Sequence, residues 1–174
     1  MKKVIRRNVF ESASSSVHNV TVVSGEPMMD YPYVRDDGYV HSSFGEFGWE
    51  FTSYDDVATK LQYALTMVAE TECKRNTWKG KKDGFSNEEE FYQTEGFQLI
   101  NDAVKEQCDC NGVIVDDMEI QDYGDFVRFN GYIDHQSSTD DYNSLKDFLD
   151  DYGLTIERFL FDVNVVLRTG NDNV

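Results

Sequence analysis

Apolar positions along the chain fall into three stretches of helical spacing, separated by short runs that alternate or are β-branched. In the first, Val57, Leu61, Ala64, Leu65 and Val68 recur at intervals of three and four, which predicts an amphipathic helix over 54–73. Ser53 ahead of Asp55 and Asp56 offers a hydroxyl cap and carboxylates suited to the positive end of the helix dipole. The second stretch opens at Ser86, carries Glu88, Glu89 and Glu90 in its first turn, and presents Tyr92, Gly96, Leu99, Ile100, Ala103 and Val104 as a buried stripe. Asn111-Gly112 ends it with residues that tolerate positive φ. The third covers 140–152, capped by Ser137-Ser138-Thr139, with Tyr142, Leu145, Phe148, Leu149 and Tyr152 on one face and Gly153 as its stop.

Between these lie strand signals. Residues 17–23 are β-branched and mostly apolar, and Tyr39-Val40-His41 predicts a second short strand. Aromatics at 47, 49 and 51 alternate with acids, which predicts an extended edge segment with one aromatic face laid over the core. A hairpin is expected from Val113-Ile114-Val115 through Met118 and Ile120, turning at Asp122-Tyr123-Gly124-Asp125 and returning through Val127, Phe129 and Ile133. A turn at Thr155–Arg158 leads to an expected last strand, 159–167. Lys74 to Gly84, with five bases, two glycines and Trp78, predicts a basic loop. The expectation is an α+β fold in a single domain, 1–174, with three helices packed on a small, mainly antiparallel sheet.

Composition changes little in that picture. Hydrophobic residues at 40% and aromatics at 14% supply a core and argue against disorder. No apolar run is long enough to cross a bilayer, and no apolar segment of a secretory signal follows Lys2, Lys3, Arg6 and Arg7. Three cysteines, an odd number, suit reduced thiols of a cytoplasm better than a disulfide scaffold.

Charge changes it more. The net charge of −17 is confined to one half: residues 1–82 hold eleven charges of each sign, and 83–174 hold twenty-two acids against five bases. Such a field repels nucleic acid and attracts basic surfaces. Carboxylates along Glu88–Glu90, Asp116–Asp125 and Asp140–Asp151 resemble a row of phosphate charges, provided that the fold brings them to one surface. The Lys and Arg side chains that pair with phosphates pair with carboxylates as well, so such a row can occupy a site built for nucleic acid. The bland alternative is an acidic surface that only maintains solubility.

The densest polar chemistry lies at the start, where Arg6 to His18 holds two arginines, Glu11, four serines and one of three histidines. One of Ser12, Ser14, Ser15 and Ser16 activated by His18 would be a nucleophile, but no Gly-x-Ser-x-Gly elbow is present. Serine hydroxyls with Arg6 and Arg7 could cradle a phosphate, though the stretch has no glycine. The favoured reading is structural, with serines bonded to their own backbone and His18 in a strand. Cys108 and Cys110, with Cys73 and histidines 18, 41 and 135, do not follow a zinc spacing. Asp116-Asp117-Met118-Glu119 and Asp140-Asp141 lack that of an EF-hand. The basic loop Lys74–Lys82 is the one place where direct contact with nucleic acid is readable.

Both ends carry a resemblance. Arg7-Asn8-Val9-Phe10-Glu11-Ser12-Ala13-Ser14-Ser15-Ser16-Val17-His18 resembles the N-V-F-E-T-N-S-S-S-x-H opening of small, largely uncharacterised proteins from bacteriophages and mobile elements of Firmicutes. Phe159-Leu160-Phe161, followed by Thr169-Gly170-Asn171-Asp172-Asn173, resembles the F-L-F…T-G-N-D-N close found with it. Where that family has Thr-Asn, this chain has Ser12-Ala13. The resemblance implies a phage setting and a shared site joining the two ends. By setting and charge, the chain is similar to phage anti-defence proteins of the anti-CRISPR and anti-restriction kind.

The expectation is therefore a non-enzymatic, phage-encoded inhibitor in the host bacterial cytoplasm, without cofactor, metal or membrane attachment. Its expected partner is a basic nucleic-acid-binding host protein: a CRISPR effector, Cas9-type first, or a restriction enzyme. The partner-facing acids would be Glu88, Glu89, Glu90, Asp116, Asp117, Asp122, Asp125, Asp140 and Asp141. The alternative is an enzyme or phosphate-ligand-binding protein using Arg7, Ser14, Ser15, Ser16 and His18 with Asn171 and Asp172. A third is a phage structural or assembly protein. Oligomeric state is left open.

Overall fold

A computed structural model describes residues 19–23, 25–48, 51–78, 85, 87–122, 127–134 and 142–170. At its centre stands α1, Val57–Trp78, in which Leu61 and Tyr63 through Ala69 are all buried. A helix apolar around most of its circumference must be covered on every side, so α1 is the element the others pack on rather than an amphipathic surface helix. The Asp56 carboxylate accepts from Thr59 N at 2.8 Å and caps the helix, a role the sequence assigned to Ser53, which lies in a strand. Thr66 and Thr71 are buried in α1 because their hydroxyls donate to the carbonyls of Gln62 and Met67 one turn back. The helix continues through Lys74–Trp78, so the first part of the expected basic loop is helical; 79–84 lie outside the described residues.

The second expected helix is two. α2, Glu88–Tyr92, is capped by Asn87, and α3, Glu95–Cys108, by Thr94, whose side chains accept from Glu90 N and Phe97 N. Thr94 sits in extended backbone, and its hydroxyl supports a fresh helix start better than a continuation. Asp109, at φ 48°, ends α3 two residues before the expected stop. α4, Leu145–Tyr152, begins at its cap Ser144, five residues later than expected, and ends on Gly153 at φ 64°, as the sequence indicates. The expected cap at 137–139 lies outside the described residues.

Residues 156–161 correct the expected last strand. They form α5, Ile156–Phe161, capped by Thr155, with Ile156, Phe159, Leu160 and Phe161 all buried. A short apolar run has the same appearance in a buried strand and a buried helical turn, and here the cap decides.

The described residues contain nine strands: β1 Asn19–Val22, β2 Val40–Ser42, β3 Glu46–Phe47, β4 Thr52–Tyr54, β5 Val113–Val115, β6 Ile120–Asp122, β7 Val127–Phe129, β8 Tyr132–Ile133 and β9 Val165–Thr169. They do not make one mainly antiparallel sheet. β9 is flanked antiparallel by β1 and β4, and β6 and β7 form a hairpin, whereas β2–β5 and β3–β8 are separate parallel pairs. Parallel pairing requires a long crossover, and in both pairs the crossover contains α1, α2 and α3. β5 therefore leaves the expected hairpin for β2, and Ile133 leaves it for β3. Of the aromatic face expected over 47–51, Phe47 is buried and Phe51 is 62% exposed, with Gly48 at φ 103° after Phe47; Trp49 lies outside the described residues.

The core has two aromatic groups, one of which includes Tyr63 of α1 itself. Phe44, Phe85, Phe91 and Phe129 gather with centroids 4.9–5.8 Å apart. Tyr63, Phe148 and Phe159 form the other, with Phe47 edge-on to Tyr63. α1 touches β2, β7, β8, α3, α4 and α5. Fold class is thus α+β, with five helices rather than three among the described residues.

Candidate functional site

The best-defined polar site stands where β2 meets β5. A tight turn precedes β2: Gly38 N donates to Arg35 O and Arg35 N to Tyr39 O, each at 2.9 Å, with Gly38 at φ 82°. The Asp37 carboxylate accepts from Tyr39 N inside that turn. The parallel register places His41 beside Ile114, and Asp116 N donates to Ser42 O at 2.7 Å, which brings Asp116 alongside His41. Nδ1 of His41 is 2.7 Å from Asp116 Oδ1 and its Nε2 is 2.8 Å from Asp37 Oδ2. The other Asp116 oxygen accepts from Arg35 Nη2 at 3.1 Å.

This geometry favours the imidazolium, which donates from both nitrogens. Hydrogen bonds to Asp116 and then Asp37 raise the His41 pKa above its ordinary value. The Tyr39 N–H, and after it His41, hold the Asp37 carboxyl below the usual range. Both ring nitrogens are engaged, so His41 offers no free lone pair to a substrate proton. The four groups form a clamp with two charges of each sign.

Beside the clamp lies part of the expected acidic surface. Glu88, Glu89 and Glu90 are exposed in the first turn of α2. Tyr92, at the end of that helix, accepts from Val115 N through its hydroxyl at 3.3 Å. Burial raises the Tyr92 pKa, and the charges of Glu88, Asp116 and Glu89 raise it further. One phenol thus senses carboxylates from α2 and from the end of β5. Asp116 is committed to His41 and Arg35, so it is not a free carboxylate. Asp117 is exposed at φ 52°, and its carbonyl accepts from Asn130 Nδ2 at 2.8 Å. Asp122 pairs with Val127 in the β6–β7 hairpin through its backbone. Asp125, Asp140 and Asp141 lie outside the described residues.

Sequence reasoning did not connect Asp37, His41 and Arg35 to Asp116. A signal was present: Asp36-Asp37-Gly38 is a tight-turn sequence, and it places Asp37 four residues before a histidine.

Arg7, Ser14, Ser15, Ser16, His18, Asn171 and Asp172 also lie outside the described residues. The described chain nevertheless begins at Asn19 opposite Arg168, so the segments leading to both terminal motifs leave neighbouring strands. At that edge Thr169 is buried, and its Oγ1 has no hydrogen-bond partner among the described residues.

Other candidate chemistry is weak. Burial pushes the Cys108 thiol up to about 11, so it is not an activated thiolate, and Cys110 Sγ donates to the carbonyls of Val104 and Gly112. Among the described residues, no group of three or more His, Cys, Asp or Glu side chains is placed to hold a metal ion. A cleft of 190 Å³ between α1, α3 and the start of α4 is lined by Val68 and Leu99, with Glu72, Glu95 and Lys146 at its polar positions. It is smaller than the roughly 300 Å³ at which small-molecule pockets begin. No described helix is long and apolar enough to cross a membrane. No protein-family model, curated protein or solved structure matches the chain.

Proposed function

We propose that this chain is a phage-encoded inhibitor that acts in the host bacterial cytoplasm by binding a basic nucleic-acid-binding defence protein, a Cas9-type CRISPR effector first. The acids of 83–174 occupy a groove built for DNA, where arginines otherwise read guanines or hold phosphates. The observation that carries this reading is the confinement of the whole −17 to residues 83–174. The exposed first turn of α2, Glu88–Glu90, is its best-placed described element. Binding of the purified chain to a guide-loaded Cas9-type effector, measured across ionic strength, tests it. The affinity falls steeply with added salt and is lost on Glu88→Lys/Glu89→Lys/Glu90→Lys; salt-insensitive binding, or none, removes the reading.

A second reading has one observation in its favour, the antiparallel pairing that sets Asn19 opposite Arg168. It brings together the segments from which both terminal motifs depart, as a phosphate-ligand site using Arg7, Ser14–Ser16, His18, Asn171 and Asp172 requires. Phosphorus NMR of inorganic phosphate or a nucleoside phosphate titrated with the chain tests it. Unchanged linewidths remove it.

A further inference from the structure

Large apolar side chains are exposed mainly in one place. Of six such side chains among the described residues, Val23, Met28, Met29, Tyr31 and Tyr33 fall within eleven consecutive positions; only Phe51 lies elsewhere. Tyr33 is 76% exposed and Met28 60%. Scattered exposed hydrophobics need no explanation, but a concentrated strip of Tyr and Met has the composition of an interface.

The strip is held in shape from beneath. Asp162, fully buried at the end of α5, accepts from Met28 N at 3.1 Å, from Asn164 N at 3.0 Å and from Arg158 Nε at 3.3 Å. Asp30 N donates to Phe161 O, Val163 N to Met28 O, Val23 N to Asn164 O, and Asn164 Nδ2 to Glu26 O. The Tyr31 ring rests on Phe161 with centroids 5.6 Å apart. An extended backbone fixed at so many points presents its side chains without a large ordering cost on binding.

Its own charge is acidic. Glu26 and Asp30 are exposed within it, and no Lys or Arg occurs between 23 and 34. The nearest cations, Arg35 and Arg158, are each paired, with Asp116 and Asp162. Aromatic faces beside carboxylates suit a guanidinium, which stacks on the ring and pairs with the acid at once. Phosphates and anionic membranes are repelled by the same acids. A second copy of a chain of −17 brings like charge to like charge.

The geometry points to the strip Met28–Tyr33 as a docking surface for an arginine-bearing segment of a partner protein. This deepens the proposed function by giving the basic partner a second and more specific contact, on the charge-neutral half of the chain. The acids of 83–174 supply long-range attraction; the strip distinguishes arginine from lysine.

The test is amide NMR of the full chain titrated with a nine-residue arginine-rich peptide and its lysine counterpart. Shifts centre on residues 28–33, and the arginine peptide binds about fivefold tighter than the lysine one. Tyr33→Ala, at a side chain too exposed to support the fold, removes that preference, and Tyr33→Phe retains it. Shifts centred on Glu88–Glu90, equal affinity for the two peptides, or an unchanged preference in Tyr33→Ala overturns the proposal. So does self-association through these residues, which assigns the strip to a second copy. The same variants are then assayed on a guide-loaded Cas9-type effector. Peptide binding at the strip without effector binding removes the proposed function and leaves the strip standing. Effector binding that Tyr33→Ala does not weaken does the reverse.

Discussion

The imidazole of His41 lies 2.7 Å from the carboxylate of Asp116, a residue 75 positions further along the chain, and closes the open end of the β2–β5 pair. Asp37, on the far side of the ring, makes the same contact from the preceding turn. The clamp gives the fold a pH dependence with a definite sign. A histidine whose folded pKa is raised stabilises most when protonated in both states, and that stabilisation is lost as pH rises through the folded pKa. Stability of the chain against urea should therefore be higher at about pH 6 than at about pH 8, with the ordinary histidine value of 6.5 marking where the loss begins. His41→Gln should flatten that window. A profile identical in the variant contradicts the charged clamp. Asp37, with its depressed pKa, acts in the opposite direction and only in acid, where its contribution disappears as pH falls.

Lys60 is fully buried in α1, and its Nζ donates to the carbonyls of Asp162 and Val165 at 2.9 and 3.2 Å. Asp162 caps the end of α5 and Val165 opens β9, so the lysine ties the central helix to the three-stranded sheet. Lys60→Met preserves the stem and strands both acceptors, and should cost about 2–4 kcal/mol in chemical denaturation. Burial lowers the Lys60 pKa to about 8. The unfolded chain then binds the extra proton between about 8 and the ordinary 10.5, so stability gains a component that rises with pH across that interval. The variant should lose that component.

Gly96 packs α3 tightly against Val68 of α1. A Cβ there would lie 2.7 Å from Val68 Cγ2 and 3.0 Å from its Cγ1. Valine is stiff at χ1, so Gly96→Ala should destabilise by about 1 kcal/mol net of its gain in helix propensity. Combined with Val68→Ala, its cost should shrink, which a double-mutant cycle on thermal unfolding reads directly. Additive effects contradict the contact.

Thr169 carries a buried hydroxyl without a partner among the described residues. Thr169→Val should stabilise the chain by about 1 kcal/mol, because it removes a desolvated polar group without changing shape. A loss of stability would assign the hydroxyl a partner in the folded chain and strengthen the ligand reading of the terminal motifs.

Long periodic segments were legible in the sequence. Val57, Leu61, Ala64, Leu65 and Val68 identify α1, and Phe148 with Gly153 identify α4 and its stop. The misses share a physical cause. Thr94 and Thr155 start helices through hydroxyl caps that act over three residues, so neither disturbs the hydrophobic period around it. That concealed the break between α2 and α3, and it concealed α5. Parallel pairing of β2 with β5 depends on how α1 to α3 pack, and no local pattern encodes it. The same holds for the candidate site. Glu88–Glu90 are readable as a charged first turn, but the commitment of Asp116 to His41 exists only once the strands pair. The strip at Met28–Tyr33 is a surface because Asp162 and Phe161 hold its backbone outside the core, over a separation of more than 130 residues.

The proposed function has this acidic chain occupy a site built for nucleic acid on a basic host protein. Competition is its most direct measurement: a guide-loaded Cas9-type effector is mixed with fluorescent target DNA, and the purified chain is titrated in at several ionic strengths. Displacement of the DNA is expected, weakening as salt rises, with Glu88→Lys/Glu89→Lys/Glu90→Lys reducing the apparent affinity by at least about tenfold. Undiminished DNA binding at saturating chain, or displacement indifferent to salt and to the charge reversals, contradicts it.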